Sequence, residues 1–407
     1  MENTSRLHDT LMEVYGQHDK WLDKRHLNVM VWMIIGLIWS GKIGLTEWIP
    51  FTMTTALASS TQRRFSRWLH NERIEVNSLY APLVYQAIAK WKAGPLYLAL
   101  DTSMLWNQYC LIRISIVYRG RAVPLVWKVI EHASSSVEFQ TYRPLLDQAW
   151  EILSECGCYD IVMLADRGFA DTEFMGYLSQ ELGWHWRIRV KKSFKVRRRG
   201  RRTCNIRTIF PPTGHAHFLR HIHITDKRFG PVSLAIANHR SSSEQWIVVS
   251  DEPTTLETFD EYGLRFDIEE NFLDDKSNGF QLEASQIRSP QALERLCLIL
   301  ALATLYLVSQ GTAVVSSEQR RLVDPHWFRG NSYLKIGWKW TKKAIIQGWN
   351  LIHLLFLDDQ PDPFPSISSR TQWLNLPSLR FKVAFFDFSP KGASDCTALP
   401  ACQALAQ

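Results

Sequence analysis

The chain has 407 residues, of which 46% are hydrophobic, and a formal net charge of +7. That length and apolar content exclude a disordered chain and leave room for two or three domains with a sizeable core. The positive excess suggests a polyanionic partner without identifying it, and seven scattered cysteines, an odd set, argue for reduced thiols in a cytosolic protein.

The N-terminus, MENTSRLHDT, is polar and has no signal-type apolar run. Residues 1–92 read as helical. The apolar runs Val29–Trp39 and Leu296–Val308 are shorter than the ~18–20 residues that span a bilayer, so buried core helices are expected and no membrane partner. Ser59–Ile74 sets Arg63, Arg64 and Arg67 beside Phe65, Trp68 and Leu69. A short basic helix with an apolar side fits a DNA groove or, equally, a solvated helix face.

Gly94-Pro95 breaks this texture. Leu96–Asp101, Leu111–Gly120 and Ala122–Ile130 read as strands, Tyr142–Glu155 as a helix and Asp160–Phe169 as a buried strand ending in Asp166. A further helix and a strand at Trp184–Lys192 follow. The fold class expected is α/β, a mixed sheet with helices packed on it.

Between Arg187 and Arg207 stand eleven basic residues, among them Lys191, Lys192, Arg197, Arg198, Arg199, Arg201 and Arg202. No acid occurs between Glu181 and Asp226. Exposed together, these charges repel one another, and a polyanion relieves them with release of its counterions. Residues 203–250 look β-rich, with His217, His221 and His223 on one face of a strand by alternation. No cysteine or spaced acid completes a zinc site there, so a polar strand face is the reading. After Pro253 the helical texture returns to about Gln310, a helical stretch is expected over Tyr333–Phe356, and Ser389–Gln407 reads as a poorly ordered tail.

Asp101 and Asp166 each end an apolar strand-like run, YLALD and VMLAD. If the two strands are neighbours, the carboxylates converge and repel unless a cation lies between them. Mg²⁺ or Mn²⁺ suits such oxygens, and two ions about 3.5–4 Å apart can clamp an in-line phosphoryl displacement. A third acid from a crossing helix would complete the set. In YGLRFDIEENFLDDK, Tyr262, Arg265, Glu269 and Lys276 fall within about 60° of arc on one continuous helix, and Glu269 is that candidate. Glu270 lies about 100° away.

The spacing Y-x2-R-x3-E-x6-K from Tyr262 to Lys276, with LALDTS (Leu98–Ser103) and LADRGF (Leu164–Phe169) before it in order, resembles the insertion sequence 4 family of DDE transposases. The resemblance covers about Arg63 to Gln310. It implies an RNase H-like sheet with helices on both faces, interrupted by a β-rich insertion before the third acid and preceded by an all-helical DNA-binding region. It also implies that Asp101, Asp166 and Glu269 are the catalytic, metal-binding triad for two Mg²⁺ or Mn²⁺ ions. Tyr262, Arg265 and Lys276 would then lie along the DNA backbone. Trp246 looks like the residue that in some relatives stacks on a flipped base, a core tryptophan being the competing view.

The domains expected are 1–92, helical and DNA-binding; 93–192, first part of the catalytic core; 193–253, basic β-rich insertion; 254–311, second part of the core; and 312–407, helical C-terminal region and tail. The function implied is cut-and-paste transposition, often through a hairpin, by a nucleoid-associated cytoplasmic protein of prokaryotic type. Its partner would be double-stranded DNA, bound as a homodimer in the synaptic complex. Other readings are a non-catalytic DNA-binding descendant and an RNase H-like host nuclease.

Overall fold

The structure is a computed structural model that describes residues 2–18, 20–21, 23–91, 94–239, 245–276, 280–365 and 381–390. The chain forms two compact units, one of Met1–Arg189 with Asp260–Ser378, the other of Val190–Phe259 with Leu379–Gln407.

The first unit begins with four helices, α1 (Glu2–Tyr15), α2 (Lys24–Ser40), α3 (Ala58–Leu69) and α4 (Val76–Ile88). In α2 the Asp23 side chain caps the Arg25 N–H, Gly41 closes the helix at φ +70°, and ten residues are buried. An apolar helix with no polar stripe has to sit inside the protein. α3 buries Thr61, Phe65, Trp68 and Leu69 and leaves Arg63 and Arg67 exposed, with Arg64 half-buried.

Next come β1 (Leu96–Leu105), β2 (Tyr109–Tyr118), β3 (Arg121–Glu131), α5 (Phe139–Glu155), β4 (Ile161–Ala165), α6 (Thr172–Gln180) and β5 (His185–Arg189). In this unit the strand order is β3-β2-β1-β4-β5. β1, β2 and β3 run antiparallel, whereas β1, β4 and β5 are parallel. Arg119 and Gly120, both at positive φ, make the tight β2–β3 turn that matches strand twist. From Tyr109 to Ile116 every residue of β2 is buried, so both faces of the sheet are covered. This mixed α/β arrangement is compatible with an RNase H-like fold.

The second unit carries β6 (Lys195–Arg197), β7 (Cys204–Asn205), β8 (His215–Ile224), β9 (Phe229–Asn238) and β10 (Gln245–Ser250), in the order β10-β9-β8-β6-β7. The β8–β9 register shifts between Leu219 and Ile222, and His221 sits at φ +55°. The irregularity notwithstanding, His217, His221 and His223 all stay out of the core, while Ala216, Phe218, Ile222 and Ile224 are buried.

α7 (Glu257–Gly263) and α8 (Phe266–Lys276) replace the single helix expected over Tyr262–Lys276. The break falls at Leu264-Arg265, so the ideal arc does not describe how these side chains are arranged. α9 (Pro290–Ser316) starts with Ser289 capping the Ala292 N–H and Pro290 at its first position. At 27 residues it is longer than its apolar run and long enough to cross a membrane, but its most apolar window is 94% buried inside the protein. α10 (Tyr333–Gln347) ends at Gly348, earlier than expected, because this glycine takes φ +71° and caps the helix. α9 and α10 cross at Gly311 and Gly337. A Cβ on Gly337 would stand 1.8 Å from the Leu307 carbonyl oxygen, so only glycine lets the two backbones meet.

β11 (Lys382–Asp387) joins the second unit parallel to β8, a strand within the 312–407 stretch expected to be helical region and tail. Of the expected disordered terminus, residues 391–407 lie outside the described residues.

Candidate functional site

Parallel pairing of β1 with β4 sets Leu100 against Ala165. Asp101, inside β1 and not at its end as expected, and Asp166, just past the end of β4, are the next residues, so the two acids stand side by side on neighbouring inner strands. Asp166 leaves the strand in extended conformation to open a short 3-10 turn, Arg167–Phe169. Its Oδ1 is buried and has no hydrogen-bond partner.

α8 lies over β1, β2 and β3. Its placement rests on two arginines that sequence reasoning missed. Arg113, paired across the strands with Asp101, is 1% exposed. Its Nη1 donates to Asp275 Oδ2 at 2.6 Å and to Asn271 Oδ1 at 2.8 Å, and its guanidinium lies 5.0 Å from the Phe272 ring centre. Arg121 on β3 donates through Nε to Asp274 Oδ2 at 3.1 Å and pairs with Glu270 at 3.5 Å. Glu270 therefore belongs to the helix's anchoring. The available signals were an arginine inside the apolar run LIRISIV and the paired acids Asp274-Asp275.

Arg265, 3% exposed, sits at the helix break. Its Nη1 donates to Asp101 Oδ2 at 3.1 Å, its Nε to the Tyr262 hydroxyl at 3.1 Å, and its Nη2 makes a short bond to Glu269 Oε1. One guanidinium thus ties two of the expected acids together. Tyr262 is 1% exposed and oriented by Arg265, while Glu269 is exposed. Lys276 Nζ donates a short bond to the Met104 carbonyl of β1 and lies 4.0 Å from Glu283.

The charges respond to this arrangement. Burial pushes the Asp101 carboxyl up to about 6; Arg265 and the Thr102 N–H pull it down, and Glu269 and Asp166 push it up again. Asp101 therefore feels both of the other expected acids. Burial raises the Tyr262 phenol to about 12. For Arg265, burial favours loss of the proton, but Tyr262, Asp101 and Glu269 outweigh it and hold the charge.

Among the described residues, no three His, Cys, Asp or Glu side chains are gathered as a group that could hold a metal ion. The donor set nevertheless suits a hard divalent cation: carboxylate oxygens only, one of them buried and unsatisfied, around a place where a positive charge already neutralises two acids. Arg265 stands where a cation shared by Asp101 and Glu269 would compete with it.

The basic block lies in the second unit from Lys191 onward. Lys191, Arg199, Arg201 and Arg202 are exposed, and Lys192, Arg197 and Arg198 are half-buried. Lys192 Nζ sits 3.9 Å from the Phe210 ring centre, and Arg198 donates to Cys204 Sγ at 3.7 Å. A cavity of about 310 Å³ opens here, lined in part by Lys195, Arg197 and Arg228. Arg187, counted with the block, is instead a core residue: it is 5% exposed, and its Nε donates to Glu261 Oε2 at 2.7 Å. Trp246 is half-buried in β10, its ring edge-on to Phe259 at 6.0 Å.

Residues 107–306 match the family model described as "Transposase DDE domain". The matched stretch starts just after Asp101 and includes Asp166 and Glu269. No curated protein matches the chain. Among solved structures it is similar to Marinitoga piezophila Argonaute in complex with 5′ OH guide RNA and target DNA, at 12% identity and a TM-score of 0.21. That likeness covers 55% of this chain and 33% of the Argonaute, so the match spans about a third of that protein's length.

Proposed function

We propose that this chain, whose residues 107–306 match a transposase DDE domain, is a cut-and-paste transposase of the insertion sequence 4 type. It binds the terminal inverted repeats of its element, nicks DNA and joins the 3′-hydroxyl ends to a target through a hairpin intermediate, working as a homodimer in the bacterial-type nucleoid. The observation that supports this reading is that Arg265 bonds both Asp101 and Glu269 while Asp166 follows the strand paired with that of Asp101.

In this reading Asp101, Asp166 and Glu269 hold two Mg²⁺ or Mn²⁺ ions. Such ions supply Lewis acidity that activates the attacking hydroxyl and offsets charge on the departing oxygen. The chain's own groups do the rest. Arg265 neutralises Asp101 and Glu269 in the metal-free protein and keeps them close. Lys276 fastens the end of α8 to β1 and offers positive charge to DNA phosphates, while Arg265, buried and bonded through all three nitrogens, serves the acids and not the DNA backbone expected of it. Tyr262 holds the Arg265 guanidinium in line. Arg63, Arg64 and Arg67 in α3 and the basic block of the second unit supply sequence-independent phosphate contacts, and Trp246 stacks on a displaced base.

The deciding experiment incubates the purified chain with supercoiled plasmids that carry or lack the DNA flanking its reading frame. Nicking that requires Mg²⁺ or Mn²⁺ and falls at the flanking repeats is expected. Cutting without regard to those repeats means a nuclease, and binding without nicking means a non-catalytic DNA-binding protein.

The basic block has its own test. Neutralising Arg197, Arg198, Arg199, Arg201 and Arg202 together should flatten the slope of log K against log salt by about 0.9 for each phosphate that these side chains neutralise. An unchanged slope removes these residues from the DNA interface.

A further inference from the structure

Between α9 and α10 the chain makes a loop, Asp324 to Asn331, whose core is charged and whose tip is aromatic. Asp324 is wholly buried. Its carboxylate accepts from Arg320 Nη1 at 2.9 Å, His326 Nδ1 at 2.6 Å, the Gly330 N–H at 3.0 Å and Asn331 Nδ2 at 2.9 Å. Burial alone would raise its pKa; the donors, His326 and Arg320 foremost, overcome this and hold it down at about 2. Arg320 also donates to the carbonyls of His326, Trp327 and Phe328 at 3.1, 3.3 and 2.7 Å. Three successive carbonyls therefore turn inward onto one guanidinium, and the Trp327 side chain points out.

Trp327 is 69% exposed, and Leu322 nearby is 49% exposed. A loop this heavily bonded does not need an exposed indole for its own stability. Lys343 Nζ donates to the Leu322 carbonyl at 2.9 Å and Lys339 Nζ to Asn331 Oδ1 at 3.2 Å, so both ammonium groups flank the loop and both residues are exposed. From Glu318 to Gln347 seven Lys and Arg face two acids, an excess of five in a chain whose net charge is +7. Asp324 and Arg320 offset each other inside the loop and Arg329 pairs with Asp362 at 2.8 Å, so Arg321, Lys339 and Lys343 carry the exposed charge.

We propose that Trp327 is a base-stacking side chain for DNA, presented by the Arg320–Asp324 loop, with Lys339, Lys343 and Arg321 on the neighbouring phosphates. The proposal rests on the transposase reading and adds to it a contact surface after the third acid. A rigid aromatic loses little freedom when it stacks, and any base offers a π-face, so the surface suits unpaired or displaced bases without regard to sequence. The positive surround favours DNA over a second copy of a chain that is itself basic.

Fluorescence anisotropy with an oligothymidine of about 20 nucleotides and with an intact duplex of similar length tests this. Trp327→Ala should weaken single-strand binding about 5- to 150-fold, the loss of one base stack, while Trp327→Phe keeps most of it. Duplex binding and the salt slope should hardly change in either variant. Lys339→Gln with Lys343→Gln should instead flatten the slope by about one to two. Wild-type affinity of Trp327→Ala for the oligothymidine overturns the proposal, and if metal-dependent nicking persists in that variant the transposase reading stands. A changed oligomeric mass with unchanged DNA binding also overturns it, marking a surface for another copy. Failure of the wild-type chain to bind either probe overturns both readings.

Discussion

Asp101→Asn, Asp166→Asn and Glu269→Gln should each lower DNA strand cleavage on the order of 10³-fold or more while end binding stays within about threefold of wild type. Removing one carboxylate from a divalent-ion site forfeits several kcal/mol of charge stabilisation in the displacement, and each 1.36 kcal/mol is about a factor of ten in rate. Binding survives because it rests on positive groups elsewhere, and the isosteric amides keep the volume at each position. Asp101→Asn should be well tolerated by the fold: burial already disfavours its charged form, and Arg265 retains Glu269 and Tyr262 as partners. The measurement is single-turnover nicking alongside a binding titration on the same DNA. Near-wild-type cleavage by any one variant means that residue does not hold the ion.

Acid has the same target. Burial pushes the Asp101 carboxyl up to about 6, and only its ionised form binds a cation. The Mg²⁺ concentration for half-maximal cleavage should therefore rise roughly tenfold per pH unit as pH falls below about 6. Above that pH the dependence should level off. A flat response through the whole range would mean that Asp101 takes no part in cation binding.

The second large effect is structural. Arg113→Met should cost about 3–5 kcal/mol, because it strands the Asp275 carboxylate, 2% exposed, without its cation. The urea midpoint should fall accordingly, and cleavage should fall further than stability explains, since Asn271 and Phe272 also lose the group that seats α8. Replacing both partners, Arg113→Met with Asp275→Leu, should recover most of the stability, because a well-packed apolar pair avoids desolvating two charges. A single-variant cost under about 1 kcal/mol would show that α8 is held by packing alone.

Much of the catalytic unit was legible in the chain. Alternating and continuous apolar runs marked β1 to β5; VMLAD places Asp166 just past the end of β4, whereas β1 runs on to Leu105, so Asp101 lies inside its strand and not at the end that YLALD suggests. The pairing of Leu100 with Ala165 is what makes those two acids neighbours, and nothing local to either run specifies it. The helix over Tyr262–Lys276 was read as continuous because its polar residues fit one stripe. The chain instead turns at Leu264-Arg265, and Tyr262 and Arg265 on either side of that turn are buried. Arg187 was read with its basic neighbours, yet Glu261, far along the chain, draws it into the core. Arg113 was passed over because a charged residue in an apolar strand makes sense only once Asp275 lies above it.

Sequence alone determined the strands β1 to β5, the apolar runs that precede Asp101 and Asp166, and the charge of the basic block. These follow from periodicity, turn residues and charge, which act between near neighbours. Tertiary structure alone decided that Arg265 occupies the space between Asp101 and Glu269, that Arg113 and Arg121 seat the helix carrying the third acid, and that a buried Asp324 holds Trp327 outward. Each of the first two joins groups more than a hundred residues apart, and the third depends on which charges are buried together. Such contacts are selected by the cost of burying a charge without a partner, and that cost depends on what the folded chain brings near, which no short stretch encodes.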